Sequence, residues 1–374
     1  MSRIKTLNDF ELEYKRGLGV PIHPKPWREV TQEWLTRHSE GSGDYNPLYR
    51  EQEYAADGRF HSLVASPSFL FSIDFGANAS IWGHIPHDDV AMSDLSILYM
   101  GADIEWFAPV WLGDRVRSIE TPIDIRRTEM RQLGEVLICS GKTEYFNHRS
   151  ELVARVTNHM LRFVNPGEGV ESTPSDTSSQ IAPDPLVWER TRQGNVRLCW
   201  EDVEVGDVLP ALPKGTYTTT ELFLFTLGSL TISRSRKVDD GTIDMGAGGR
   251  ADPEYARKSR SQATSFDYGP QRITWLTQIV SDWIGDDGDV ISLSAQLRRP
   301  NLIGDTNTVV GVVTRVFEEN GDGRAEVEIA VVNQRDVRTA TATAIVRLPR
   351  RDTATAMDSI LFAADIGRVA SVYG

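Results

Sequence analysis

Asp44, Asn46 and Tyr49 stand close together in SGDYNPLYREQEYA, Ser42–Ala55. A carboxylate such as Asp44 can take a proton near neutral pH if burial raises its pKa. A phenol is a different tool. Its ordinary pKa is near ~10, against ~6.5 for an imidazole, so at pH 7 it donates hydrogen bonds and accepts no proton unless a cation lowers its pKa by a few units. A second acidic stretch, TIDMGAGGRAD, holds Asp244 and Arg250. The guanidinium binds but never serves as a base. Two further phenols complete the set, Tyr99 in SILYMGADIEW and Tyr268 in SFDYGPQR, the latter between Asp267 and Gly269. A purely structural reading stands beside the chemical one, because Asp and Asn ahead of PLYREQEYA also suit a helix cap or a turn.

The stretch GHIPHDDVAMSD (Gly83–Asp94) carries His84, His87, Asp88 and Asp89. These are metal-ligand types, but His-x-x-His in a Pro-containing loop has no fixed helical face and no closing ligands, so no metal is expected. The loop is expected near the mouth of a pocket, where His84 or His87 would supply a base from another direction. Neither a Gly-x-Gly-x-x-Gly after a strand nor a Walker-type loop is present, and no cofactor is expected.

The elements that position these residues come in two copies. YREQEYAADGRFHSLV (Tyr49–Val64) resembles RADPEYARKSRSQATS (Arg250–Ser265), with Glu-Tyr-Ala shared. FAPVWLGDRV (Phe107–Val116) resembles RRPNLIGDTN (Arg298–Asn307), with Pro-x-x-x-Gly-Asp at Pro109/Gly113/Asp114 and Pro300/Gly304/Asp305. Two matches in one order imply two copies of one fold. Between them each copy has an apolar segment that reads as a buried helix, Ser66–Gly83 and Pro270–Gly285. Proline opens each one, and a tryptophan followed by a glycine closes it. In the second, Ile273, Leu276, Ile279, Val280 and Trp283 follow helical spacing. Long alternating runs, such as Val327, Ile329 and Val331, then predict antiparallel strands. The expected organisation is an N-terminal copy over 1–164, a Pro/Ser/Gly-rich linker over 165–197, a C-terminal copy over 198–349 and a tail over 350–374.

The net charge of −13 disfavours a phosphate backbone as partner. No apolar run of membrane-spanning length occurs, and the charged N-terminal stretch lacks a signal-peptide pattern, so a cytoplasmic protein without a membrane partner is expected. Cys139 and Cys199 are expected as reduced, buried thiols.

The stretches SGDYNPLYREQEYA, VASPSFLF, IEWFAPVWLGDRV, WEDVEVGDVLP, ADPEYA and LRRPNLIGDT, in that order, resemble the MaoC-like and FAS1-like dehydratases. The resemblance implies an α+β tandem (double) hotdog, each copy a curved antiparallel sheet wrapped around one long central helix. It further implies a hydro-lyase acting on an enoyl or 3-hydroxyacyl thioester, with hotdog units paired or the chain dimeric. Its Asp-x-Asn-x-x-His element would place Asp44 and, one residue out of register, Asp244 as catalytic carboxylates. Tyr49 and Arg250 would stand where histidine is usual, with Tyr49 and Tyr268 as catalytic donors and the Gly269 N–H as oxyanion donor. Asn46, Tyr99, Arg250 and Asp267 would contact substrate. Two alternatives remain open: altered chemistry in the same fold, as in a specialised-metabolism dehydratase, isomerase or cyclase, or a non-catalytic acyl-binding partner subunit.

Overall fold

The computed structural model describes residues 4, 6–82, 95–131, 133–164, 196–229, 236–237, 243–244, 251–260 and 262–351. His84, His87, Arg250, and most of the expected linker and tail lie outside them. Asp244 is described only as backbone in a short strand.

The strands are β1 (Arg28–Glu29), β2 (Leu95–Trp106), β3 (Arg115–Met130), β4 (Gly134–Asn147), β5 (Leu152–Val164), β6 (Leu212–Thr216), the short pair β7 (Arg236–Lys237) and β8 (Ile243–Asp244), β9 (Asp289–Leu297), β10 (Thr306–Glu319), β11 (Asp322–Asn333) and β12 (Arg338–Leu348). Ten of them form one sheet in the order β1-β3-β4-β5-β2-β9-β12-β11-β10-β6. Read from either edge, the order is the same with the copies exchanged. The halves join where β2 meets β9 antiparallel, with Ala102 opposite Ala295 and Asp103 opposite Ser294. Period-two alternation buries Val327, Ile329 and Val331 against the inner face.

The duplicated Gly-Asp motif forms the same turn twice. Gly113 and Gly304 take left-handed φ of 86° and 97°. Asp114 Oδ2 accepts the Trp111 N–H at 3.0 Å, and Asp305 Oδ2 accepts the Leu302 N–H at 3.0 Å. An arginine from the next hairpin closes each, Arg149 on Asp114 and Arg335 on Asp305, both at 2.9 Å. Such a match of side-chain detail is what two copies of one fold require.

The helices are α1 (Leu7–Arg16), α2 (Gln32–Ser42), α3 (Gln52–Asp57), α4 (Leu70–Ile73), α5 (Thr219–Ser229), α6 (Pro253–Arg260) and α7 (Gly269–Ile284). The second copy's central helix is the expected one. α7 is buried at every position, has Pro270 in its first turn and ends at Gly285 with φ 69°. The first copy departs from expectation. A 3-10 turn at Pro67–Phe69 leads into α4, and the chain leaves the helix before a short π-type turn at Asn78–Trp82. The sheet beneath supplies the reason. Gly76 adopts φ 73°, and a Cβ there would stand 2.0 Å from Thr143 Oγ1. The Asp74 carboxylate accepts Ser118 Oγ at 2.6 Å and Gly76 N at 3.1 Å, Asn158 donates to the Phe75 carbonyl at 2.9 Å, and Tyr145 donates to the Asp74 carbonyl at 2.5 Å. Polar side chains on the inner face thus satisfy backbone groups that a continuous helix would have paired internally.

Outside the sheet, α2 crosses α5 glycine to glycine. A Cβ on Gly228 would fall 2.4 Å from the Arg37 carbonyl and 2.7 Å from Gly41 Cα. Both cysteines are free and buried, and burial pushes the Cys139 thiol up to about 12.

Candidate active site

A cleft of about 200 Å³ opens between the copies. The first copy contributes Leu48 and Tyr49 from a short turn, Ser66 and Pro67 from the start of its broken helix, and Trp106 and Trp111. The second contributes Ser281, Asp286 and Val290 from the end of α7 and the start of β9. Its walls are largely apolar and its polar groups few, the usual make-up of a small-molecule site.

Tyr49 lines this cleft, and Asn46 is tied to it through Asp286. Asn46 caps the turn, its Oδ1 accepting Leu48 N at 3.0 Å, while its amide donates to Asp286 Oδ1 at 3.3 Å. The other Asp286 oxygen accepts the Tyr54 hydroxyl at 2.6 Å. A carboxylate of the second copy is therefore oriented by two donors of the first and presented to the cleft. Tyr49 lines the same space and is buried. Desolvation, then the charges of Asp44, Asp286 and Asp282, push its phenol well above the usual range, partly opposed by a hydrogen bond with Ser281. The phenol is held as a donor.

Asp44 sits behind the cleft. It is buried, its Oδ1 accepts Asn46 N at 3.3 Å, and its carbonyl accepts the Ser39 hydroxyl. The cation near it is Lys214 on β6, whose ammonium donates to Gln278 Oε1. Burial pushes Lys214 down to about 8, with Asp44, Asp282 and Glu221 pulling the other way. At the cleft rim Arg59 and Arg347 both bind Asp289, at 2.7 and 2.6 Å. Against the desolvation of burial, they hold its carboxyl below the usual range.

The remaining expected residues gather at the other end of the molecule. Tyr268 precedes α7 and packs on Phe225 at 6.4 Å between ring centroids. A Cβ on Gly269 would lie 2.3 Å from Tyr99 Cδ1 and 2.5 Å from Leu297 Cδ1. Glycine is required there because the Tyr99 ring lies against its α-carbon. Tyr99 is fixed by a 2.6 Å bond to Asn158 and an edge-to-face contact with Phe75 at 5.0 Å. Asp267 is engaged structurally, its Oδ2 2.8 Å from Arg272 Nε and its Oδ1 accepting Asn301 N at 3.2 Å. With Pro109 aligned on Pro300, Val290 of the open cleft corresponds to Tyr99. A tyrosine thus packs the second copy's helix start where a valine leaves the first one's open. The structure brings Tyr49 to the cleft, ties Asn46 to it through Asp286 with Asp44 hydrogen-bonded to Asn46, and sets Tyr99, Asp267, Tyr268 and Gly269 apart.

Sequence reading missed Asp286, Tyr54, Lys214 and the pair Asp74 and Glu120. In that pair Glu120 is fully buried, accepts Ala79 N at 2.8 Å and the Asn78 amide at 3.3 Å, and hydrogen-bonds Asp74. Burial first, and the Asp74 charge second, raise Glu120 to about 7, against the pull of Lys25 and the Ala79 N–H. Asp286 and Lys214 follow no local motif. Asp74, within an apolar run ending Asp-Phe-Gly, was a legible signal for a break.

Comparison with known proteins agrees with this fold. Residues 17–156 match the family model described as a FAS1-like dehydratase domain region. A UPF0336 protein of Streptomyces griseus is 26% identical over 133 residues, 32% of this chain and 86% of its own. Among solved structures, a MaoC-like dehydratase superposes with a TM-score of 0.67 at 16% identity, over 90% of this chain and 99% of its own. A conserved hypothetical protein of Mycobacterium tuberculosis, described as a double hotdog, superposes with a TM-score of 0.55 at 12% identity, over 88% of this chain and 96% of its own. No helix among the described residues is long and apolar enough to cross a membrane. With its mirrored ten-stranded sheet and duplicated turns, the chain is a double hotdog protein whose residues 17–156 match the FAS1-like dehydratase domain region.

Proposed function

We propose that the protein hydrates an enoyl thioester, or dehydrates the 3-hydroxyacyl thioester, in the cleft between Tyr49 and Asp286. The observation that carries this reading is the Asp286 carboxylate, held by Asn46 and Tyr54 and facing an apolar-walled cleft. It stands in for the imidazole that the Asp-x-Asn-x-x-His pattern would have placed at position 49. In the hydration direction Asp286 takes a proton from a water. The water oxygen bonds to the β-carbon, the double-bond electrons move toward the thioester oxygen, and the same proton passes from Asp286 to the α-carbon. Water is added and the carboxylate is regenerated. Tyr49, with its pKa raised, contributes a hydrogen bond to the water and exchanges no proton. The apolar walls suit an acyl chain. Cytoplasmic location and activity without a cofactor belong to the same reading.

The test is hydration of crotonyl-coenzyme A by the wild-type protein and by Asp286→Asn. The amide keeps the shape and loses the base, so kcat should fall about 10²- to 10⁴-fold with KM little changed. An Asp286→Asn variant as active as wild type sinks the assignment of the base. A wild-type protein that binds the thioester without turning it over favours the acyl-binding alternative.

A further inference from the structure

His38 is fully buried in α2 and serves no role so far described. Its Nε2 lies 3.2 Å from Ser68 Oγ, and Ser68 Oγ lies 3.3 Å from Ser66 Oγ. Ser66 and Asp286 both line the cleft. The imidazole stands edge-on to Phe69 at 5.3 Å, so its plane is fixed. Its Nδ1 has no hydrogen-bond partner among the described residues.

That orphan nitrogen sets the direction of the chain. A buried N–H without a partner is rarer and costlier than a bare lone pair, so the proton belongs on Nε2. Nε2–H then donates to Ser68, Ser68 donates to Ser66, and the Ser66 proton is left to point into the cleft. Desolvation pushes His38 down to about 3, so the ring stays neutral and the direction does not reverse over the working pH range. Pro67, next to Ser66, has no amide hydrogen to offer, and the helix behind it is too short to add a dipole. The Ser66 hydroxyl supplies a side-chain donor at this position.

We infer that the Ser66 hydroxyl is the donor that meets the thioester oxygen in this cleft, and that His38 and Ser68 are positioning residues that aim its proton. The inference deepens the hydratase reading and rests on it. It assigns the developing negative charge to Ser66 and the proton transfer to Asp286.

The experiment combines kinetics with nitrogen-15 NMR of the histidine side chains. Ser66→Ala should lower kcat on crotonyl-coenzyme A about 10²-fold, with KM changed less than about threefold. His38→Leu should lower kcat about 10-fold. His38→Gln, which restores an N–H near the Nε2 position, should recover most of that loss, a rescue that a packing role alone does not predict. The His38 resonances should show a neutral Nε2–H tautomer down to about pH 4 that shifts in Ser68→Ala. Full activity in Ser66→Ala with an active wild type overturns this inference and leaves the hydratase reading standing. If the wild type turns over no thioester, the hydratase reading falls and the tautomer decides the relay: Nε2–H coupled to Ser68 supports it, and Nδ1–H overturns it.

Discussion

Replacing Glu120 by glutamine should stabilise the protein at alkaline pH and do little in acid. The carboxyl titrates at about 7 when folded, against 4.5 for the free side chain. The folded state therefore holds a proton that the unfolded chain releases between those values. A raised carboxyl pKa means its favourable contribution is complete below pH 4.5, falls as pH rises toward 7, and is gone above it. The interval of about 2.5 units corresponds to about 3 kcal/mol. Glutamine is neutral throughout. Its oxygen can still accept the Ala79 N–H and its amide can donate to Asp74, as the protonated acid does. The exposed Lys25 contact at 3.5 Å is lost, at a cost within ~1 kcal/mol. Urea unfolding followed by tryptophan fluorescence, at pH 5 and pH 8 for both proteins, isolates the effect. Carboxyls that ion pairs and hydrogen bonds hold below their usual range, such as Asp103 and Glu151, weaken both proteins alike in acid and cancel in the difference. The stability gap should widen by about 2–3 kcal/mol between pH 5 and pH 8. A gap independent of pH, or a variant weaker than wild type at pH 8, refutes the shared-proton account of this pair.

Two further perturbations test the scaffold and the site. Gly228→Ala places a methyl against the Arg37 carbonyl and Gly41 Cα, so α2 and α5 must separate; despite alanine's helical preference, a net loss of about 1–2 kcal/mol is expected in thermal melts, and an unchanged Tm would show that the crossing is not tight. Tyr54→Phe removes one of the two donors that orient Asp286, so kcat on crotonyl-coenzyme A should fall about 10-fold with KM nearly constant; equal kcat would mean that Asn46 alone suffices.

Local pattern alone was enough for the duplication, the strands and one of the two rods. Pro-x-x-x-Gly-Asp encodes a turn whose glycine needs φ above zero and whose carboxylate caps an amide three residues back, so it repeats wherever the fold repeats. Alternation of valine and isoleucine in β11 encodes a half-buried strand for the same local reason. The spacing of Ile273, Leu276, Ile279, Val280 and Trp283 encodes α7. Asp-Phe-Gly signals a break in the first rod, but local pattern could not reveal where the freed backbone would find partners. That outcome depends on Tyr145 and Asn158, which sit on two strands and offer the freed carbonyls of Asp74 and Phe75 their partners only once the sheet has formed, and on Ser118, which holds the Asp74 carboxylate.

The opening triad of Asp44, Asn46 and Tyr49 was legible as polar chemistry, and its carboxylate was the natural choice of base. Tertiary structure alone placed these groups. It left Asp44 outside the residues that line the cleft, filled the second copy's helix start with Tyr99, and brought Asp286 from more than half the chain away under the donors of the first copy. Periodicity and turn chemistry act over a few residues, so a sequence carries them openly. A cleft between two copies is made by side chains whose only connection is the packing of one sheet against one long buried helix and one broken one, and no short-range rule encodes that distance.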